Sequence, residues 1–199
     1  MSKMQDPVSG FIYPEAWIAR CASPESFPLI EHGLAVLTAD GSVRRRGYTT
    51  GSTAAAAAKA AILSLQGTPI TEVSIITPVG IRIHIPVQAQ EGRGECRKYA
   101  GDYPADVTAG MLFIAQARPT KSGVSLTFGD GIGRWNRTTP RYHIGDPAVS
   151  PQARDVIQTA IEEALQKIGL GGVEICIIAQ HGREIAQKTL NHKVGVING

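Results

Sequence analysis

Apolar residues recur along the chain at two periods, and the change from one to the other marks its elements. Between residues 153 and 168, Ala153, Val156, Ile157, Ala160, Ile161, Ala164, Leu165 and Ile168 keep the spacing of one helical face, and "GLGG" ends the run. In "EVSIITPVGIRIHIPV" the period is two: Ile81, Ile83 and Ile85 alternate with Arg82 and His84, which predicts a hairpin around Pro-Val-Gly with one buried face. "GMLFIAQAR" and "GVSLTF" read as two further strands separated by "PTKSG", although the first could be a short helix, and "VEICIIA" predicts a buried strand. "LAVLT" followed by "ADGS" reads as a strand and a turn.

A different pattern fills "GYTTGSTAAAAAKAAILSLQG". The alanines predict a helix capped at Ser52 or Thr53 and stopped near Gln66 and Gly67; Lys59 could be solvated or reach an anion, and its position well into the helix favours solvent. "GREIAQKTLN" predicts a last helix over about residues 183–190. These elements define an α/β fold with a mixed sheet packed against three helices over residues 34–199. Residues 1–33, with Pro7, Pro14, Pro24 and Pro28 and scattered aromatic residues, are expected to form an irregular arm.

Composition narrows the class. With 43% hydrophobic and 19% charged residues over 199 positions, the chain can bury a sizeable core. A net charge of +3 is too small to point to a nucleic-acid arm. Three cysteines without a C-x-x-C pair, one of them Cys176 in an apolar run and expected to be buried, suggest a reducing cytoplasm. No apolar run reaches membrane-spanning length, and "MSKMQDPVSG" lacks the order of a signal peptide, so neither a membrane nor export is expected.

Candidate chemistry concentrates in a few loops. A helix start leaves backbone N–H groups unpaired and carries partial positive charge, so Gly47, Thr49, Thr50, Gly51, Ser52 and Thr53 could form an anion site, or simply a capped helix. The segment is not a Walker A loop, because its first lysine comes eight residues after Gly51. "GDGIGRWNRTTP" has the glycines of a dinucleotide fingerprint but no helix behind them; it reads as a loop in which Arg134, Arg137 and Arg141 could face anions or form a solvated rim. Asp102 and Asp106 in "AGDYPADVTAG" are either general bases or turn caps. The histidines show no metal-ligand spacing, so no protein-bound metal is expected.

Taken in order, "RRGYTTGSTAAAAAKAA", "KYAGDYPADVTAG", "GDGIGR", "IGDPAVSP" and "GREIAQKTLNHKVGVING" resemble the motifs of the CbiD family of cobalt-precorrin-5B C1-methyltransferases. The resemblance runs from about Arg45 to Gly199. It departs at Ser52-Thr53, where the family usually shows Thr-Cys, and at "GDYPADVT", which carries an additional residue. It implies a domain like the second domain of ribosomal protein S5, with a split β-α-β topology. It also implies S-adenosylmethionine as methyl donor, a corrinoid small-molecule substrate that brings its own cobalt, and a role in anaerobic cobalamin synthesis. Family members continue past "GVING" into a Rossmann-like domain, so the resemblance implies either a compact methyltransferase or half of an enzyme, with a second polypeptide supplying that domain as its partner. The alternatives are a corrinoid-binding or tetrapyrrole-binding module without catalysis and, more remotely, an RNA-binding module; sparse aromatics argue against nucleic acid.

The residues implied for substrate or cofactor binding are Arg46, Gly47, Tyr48, Thr49, Thr50, Gly51, Ser52 and Thr53, then Asp130, Gly131, Gly133 and Arg134, and lastly Lys188, Thr189 and Asn191. Asp102 and Asp106 are the catalytic candidates and are expected to shape the pocket.

Overall fold

The computed structural model describes residues 4–189 and 196–197, which fall into two units. The smaller comprises Met1–Tyr48 and Tyr99–Asp106. It contains two short helices, α1 (Glu15–Ala19) and α2 (Phe27–Glu31), and an antiparallel pair, β1 (Ala35–Leu37) and β2 (Val43–Arg45), joined by the expected turn. Its core is Tyr13, Ile30, Ala35 and Leu37, with Trp17 and Phe27 packed around them. Asp6 is buried and receives two hydrogen bonds from the Arg46 guanidinium, at 2.9 and 2.7 Å.

The larger unit comprises Thr49–Lys98 and Val107–Gly199. Its chain order is α3 (Thr50–Leu63), β3 (Ile70–Ile76), β4 (Arg82–Gln90), β5 (Arg93–Arg97), β6 (Leu112–Thr120), β7 (Gly123–Phe128), β8 (Arg134–Trp135), α4 (Pro151–Ile168), β9 (Gly172–Ala179), α5 (Gly182–Gln187) and β10 (Val196–Ile197). Six strands form one sheet in the order β3-β4-β5-β6-β9-β7. All neighbours are antiparallel except β7 and β9, which run parallel and are joined through α4. The strands β8 and β10 pair separately.

The hairpin of β3 and β4 follows the period-two pattern, with Ile83, Ile85 and Val87 buried and Arg82 and His84 exposed. The strand β5 had no clear signal, because "RGECR" offers little apolar bulk, yet Gly94 and Cys96 are its buried positions. Gly94 is small for a reason: a Cβ there would lie 2.7 Å from the Ala61 backbone nitrogen, so α3 rests directly on the strand. Burial is continuous along α3 from Ser52 to Leu63, which explains alanine at so many positions: larger side chains would hold the helix away from the sheet and from α4.

Several expectations need correction. The α3 cap is Thr49, not Ser52 or Thr53; its extended backbone (ψ 160°) precedes the helix, and its hydroxyl accepts the Ser52 N–H at 3.0 Å. Lys59 is buried, not solvated, because its ammonium donates to the Ser74 carbonyl at 2.9 Å and pairs with Glu163 on α4. The cysteine buried in the core is Cys96, whose thiol burial pushes up to about 12, whereas Cys176 is half-buried. The helix α4 begins at Pro151 behind the Ser150 cap, and the last helix ends at Gln187.

Candidate functional site

A cavity of about 350 Å³ lies within the larger unit, where the N-terminal turns of α3 and α4 meet. Thr50, Gly51 and Ala54 come from α3, and Ser150, Ala153 and Ile157 from α4. The two helices approach closely there because Gly51 has no side chain: a Cβ would lie 2.8 Å from the Ala153 Cβ. Strand ends supply Phe113, Phe128 and Ile177, and Gly131, Ile132 and Gly133 close one side. The helix α5 contributes Gly182, Ile185 and Ala186, with Thr189 just beyond it.

The polar groups of this cavity are few. Two helix starts border this space, each carrying about half a positive charge, although Pro151 at the start of α4 has no N–H and the Ser52 and Ala153 N–H groups are taken by their caps. Thr50, Thr108, Ser150 and Thr189 bring hydroxyls, although Ser150 already accepts the Ala153 N–H at 3.2 Å and Thr189 donates to the Ala186 carbonyl at 2.8 Å. No Asp, Glu, Lys or Arg is among the described lining residues. Such a space suits an anionic end group held at the helix starts and an apolar body against the strand ends.

The expected site residues divide between the two units. Thr50, Gly51, Gly131, Gly133 and Thr189 line the cavity. Thr49 caps α3, and Ser52 and Thr53 are buried within its first turns, Thr53 donating to the Thr49 carbonyl at 2.8 Å. Arg134 is committed to the backbone: its guanidinium donates to the Gly145 carbonyl at 3.0 Å and the Phe128 carbonyl at 2.6 Å, which holds the glycine loop in place. Asp130 is exposed, 3.5 Å from Arg183, and Lys188 is exposed. Asn191 lies outside the described residues. Phe113, Phe128, Ile157 and Ile177 went unnoticed because in sequence they read as ordinary core; Ser150 had a signal, its place in "IGDPAVSP".

The remaining candidates, Arg46, Gly47, Tyr48, Asp102 and Asp106, belong to the smaller unit. There the segments of the first two motifs are hydrogen-bonded to each other. Tyr48 N–H donates to the Tyr99 carbonyl at 2.8 Å, Asp102 N–H to the Arg45 carbonyl at 3.1 Å, and the Arg45 N–H to the Asp102 carboxylate at 2.8 Å. Arg46 bridges to Gly101 through the backbone, while its side chain holds Asp6 and donates to the Gly33 and Ala35 carbonyls. Asp106 closes the loop, its N–H 3.4 Å from the Tyr103 carbonyl.

Mixed-sheet α/β architecture and the ordered loops together define a class that comparison with other proteins resolves. Residues 37–199 match CbiD, and the chain belongs to the CbiD family. It is similar, at 62% identity over 196 residues, to the cobalt-precorrin-5B C(1)-methyltransferase of Methanospirillum hungatei JF-1, and at 49% over 197 residues to that of Methanoculleus marisnigri. Each match covers 98% of this chain and 58% of the relative, so the chain spans little more than half the length of these relatives. The crystal structure of the cobalamin biosynthesis protein CbiD from Archaeoglobus fulgidus superposes with a TM-score of 0.79 at 37% identity, over 98% of this chain and 64% of that one.

Proposed function

We propose that the chain serves the S-adenosylmethionine-dependent methylation of cobalt-precorrin-5B at ring carbon C1, in anaerobic cobalamin synthesis. The observation that carries this reading is the 62% identity over 196 residues to a protein bearing that activity in its name, a span that includes the cavity. In the reaction, the electron pair of the ring carbon forms the bond to the methyl group while the carbon–sulfur bond breaks, its electrons staying on sulfur as a neutral thioether. Alignment of the two reactants decides the rate more than a strong base, which agrees with the lack of titratable side chains among the described lining residues.

The donor set fits the methionine end of S-adenosylmethionine. Its carboxylate suits the paired starts of α3 and α4 at Thr50, Gly51 and Ser150, and Phe113, Phe128 and Ile132 suit its less polar parts. A carboxylate-bearing macrocycle exceeds about 350 Å³ and needs a further surface. Asp102, engaged by the Arg45 N–H, acts in this reading as a positioning residue for the loop. Where β9 lies between β6 and β7, parallel only to β7, the topology supports the likeness to the second domain of ribosomal protein S5. Shared fold alone carries no activity.

The test is to incubate the purified chain with S-adenosylmethionine and a cobalt-precorrin mixture and to follow methyl addition by mass spectrometry. A singly methylated product supports the reading. Binding without product favours a module without catalysis, and product formed only on adding a second polypeptide favours half of an enzyme.

A further inference from the structure

We propose that Arg154 is a positioning residue of the methyl-donor site, acting through the ring of Phe128; this rests on the function proposed above. The need for such a residue follows from where Phe128 stands. It is the last residue of β7, an edge strand of the sheet, and within the sheet it pairs on one side only, with Ile177 of β9. The chain then enters "GDGIG", where Gly131 takes a φ of +75°. The end of an edge strand that runs into glycines is prone to fray, yet here it forms a wall of the cavity together with Ile177 and Gly131.

Two arginines hold that wall. Arg134 secures the backbone, its guanidinium donating to the Phe128 carbonyl at 2.6 Å and to the Gly145 carbonyl at 3.0 Å. Arg154, near the start of α4, covers the ring, its guanidinium carbon 5.3 Å from the ring centroid and within the range of cation–π attraction. Arg154 is half-buried, and among the described residues its guanidinium has no carboxylate or carbonyl partner, so the ring is where its charge is directed. It is absent from the described lining residues, which include Phe128, Ser150 and Ala153, so it acts on the cavity from behind the ring. Packing keeps the ring inside, since Phe128 is buried, while the guanidinium selects its tilt by drawing the electron-rich face toward the charge. The wall from the sheet is thereby locked to the helix start that carries Ser150, and the donor meets a surface already set, which lowers the cost of aligning it.

The experiment measures S-adenosylmethionine affinity of the full chain by calorimetry, well below the unfolding midpoint of each variant. We expect Phe128→Leu to weaken binding about tenfold and Arg154→Gln about fivefold. Arg154→Lys, which keeps a cation near the ring, should fall between Arg154→Gln and the wild type. Because Arg154 works through the ring, adding Arg154→Gln to Phe128→Leu should change affinity by less than about twofold. Circular dichroism checks the fold; a side chain that only stabilised α4 would move the unfolding midpoint and leave affinity alone. Should Phe128→Leu fail to fold, the order of Arg154→Gln, Arg154→Lys and the wild type decides. Losses that multiply in the double variant overturn the proposal, since Arg154 would then meet the donor itself, and unchanged affinity in Arg154→Gln overturns it as well. Either result leaves the methylation reading intact, because the mass-spectrometric assay decides that separately. Absence of donor binding by the wild type overturns the positioning role whatever that assay shows.

Discussion

The Lys59 ammonium donates to the Glu163 carboxylate, and so ties the alanine helix α3 to α4 through a cation that is itself buried. The same ammonium reaches the Ser74 carbonyl of β3 at 2.9 Å, which makes it the junction of three elements. Hydrogen bonding from Lys59, aided by Arg82, holds the Glu163 carboxyl below its ordinary value of 4.5 against the opposing effect of burial.

Glu163→Gln therefore leaves a buried ammonium with a weaker partner. We expect a loss of about 1–2 kcal/mol in urea denaturation at neutral pH, the partial exposure of Glu163 holding it below the cost of breaking a fully buried pair. Because the folded-state value is depressed, the pair stabilises fully above the unfolded carboxylate range and fades as pH falls through the folded value. The wild-type advantage over Glu163→Gln should shrink on acidification, and a difference independent of pH would overturn the assignment.

Gly94→Ala should be among the most disruptive single-methyl additions in the chain. Its Cβ meets the backbone of α3 near Ala57 and Ala61, which cannot rotate away as a side chain can. We expect a loss of about 2–3 kcal/mol, measured as a shift in denaturation midpoint. A larger side chain at an exposed position of α4, as in Thr159→Gln, should stay within about 0.5 kcal/mol.

What the sequence made legible was periodicity. Residues 153–168 and the hairpin around Pro78 announced themselves because one face of each is apolar and the other polar. The helix α3 was recognisable as helix, but its partners were not, since alanine fits many packings and says nothing about what lies against it. Lys59 was misplaced for that reason: a lone lysine among alanines looks solvated until α4 and β3 bring Glu163 and Ser74 to it. The glycine loops were visible as loops. That Arg46 and Arg134 serve Asp6 and backbone carbonyls depends on contacts distant in the chain, which no local pattern encodes.

Thr49 and Thr50 should separate by phenotype although they are adjacent. Thr49 caps α3, so Thr49→Ala should cost about 1 kcal/mol of stability. Thr50 is exposed and lines the cavity, so Thr50→Val should leave stability within about 0.5 kcal/mol but weaken S-adenosylmethionine binding in calorimetry. Unchanged affinity for Thr50→Val would remove the start of α3 from the proposed donor site.

Asp6 gives the smaller unit its own acid response. Burial alone would raise its carboxyl, but hydrogen bonds from Arg46, Ser9 and the Val8 N–H outweigh that effect and hold it at about 2. The depressed value means that its contribution is complete above the unfolded value of 3.8 and disappears as pH falls toward 2. Asp6→Asn keeps the shape and removes the charge, and should lower stability near neutrality by about 2 kcal/mol while making little difference below pH 2. Tryptophan fluorescence in a Trp135→Phe background, which leaves Trp17 of the smaller unit as the one tryptophan, reports its unfolding. Equal acid midpoints for the variant and the wild type in that signal would show that the Asp6–Arg46 pair does not hold the unit together.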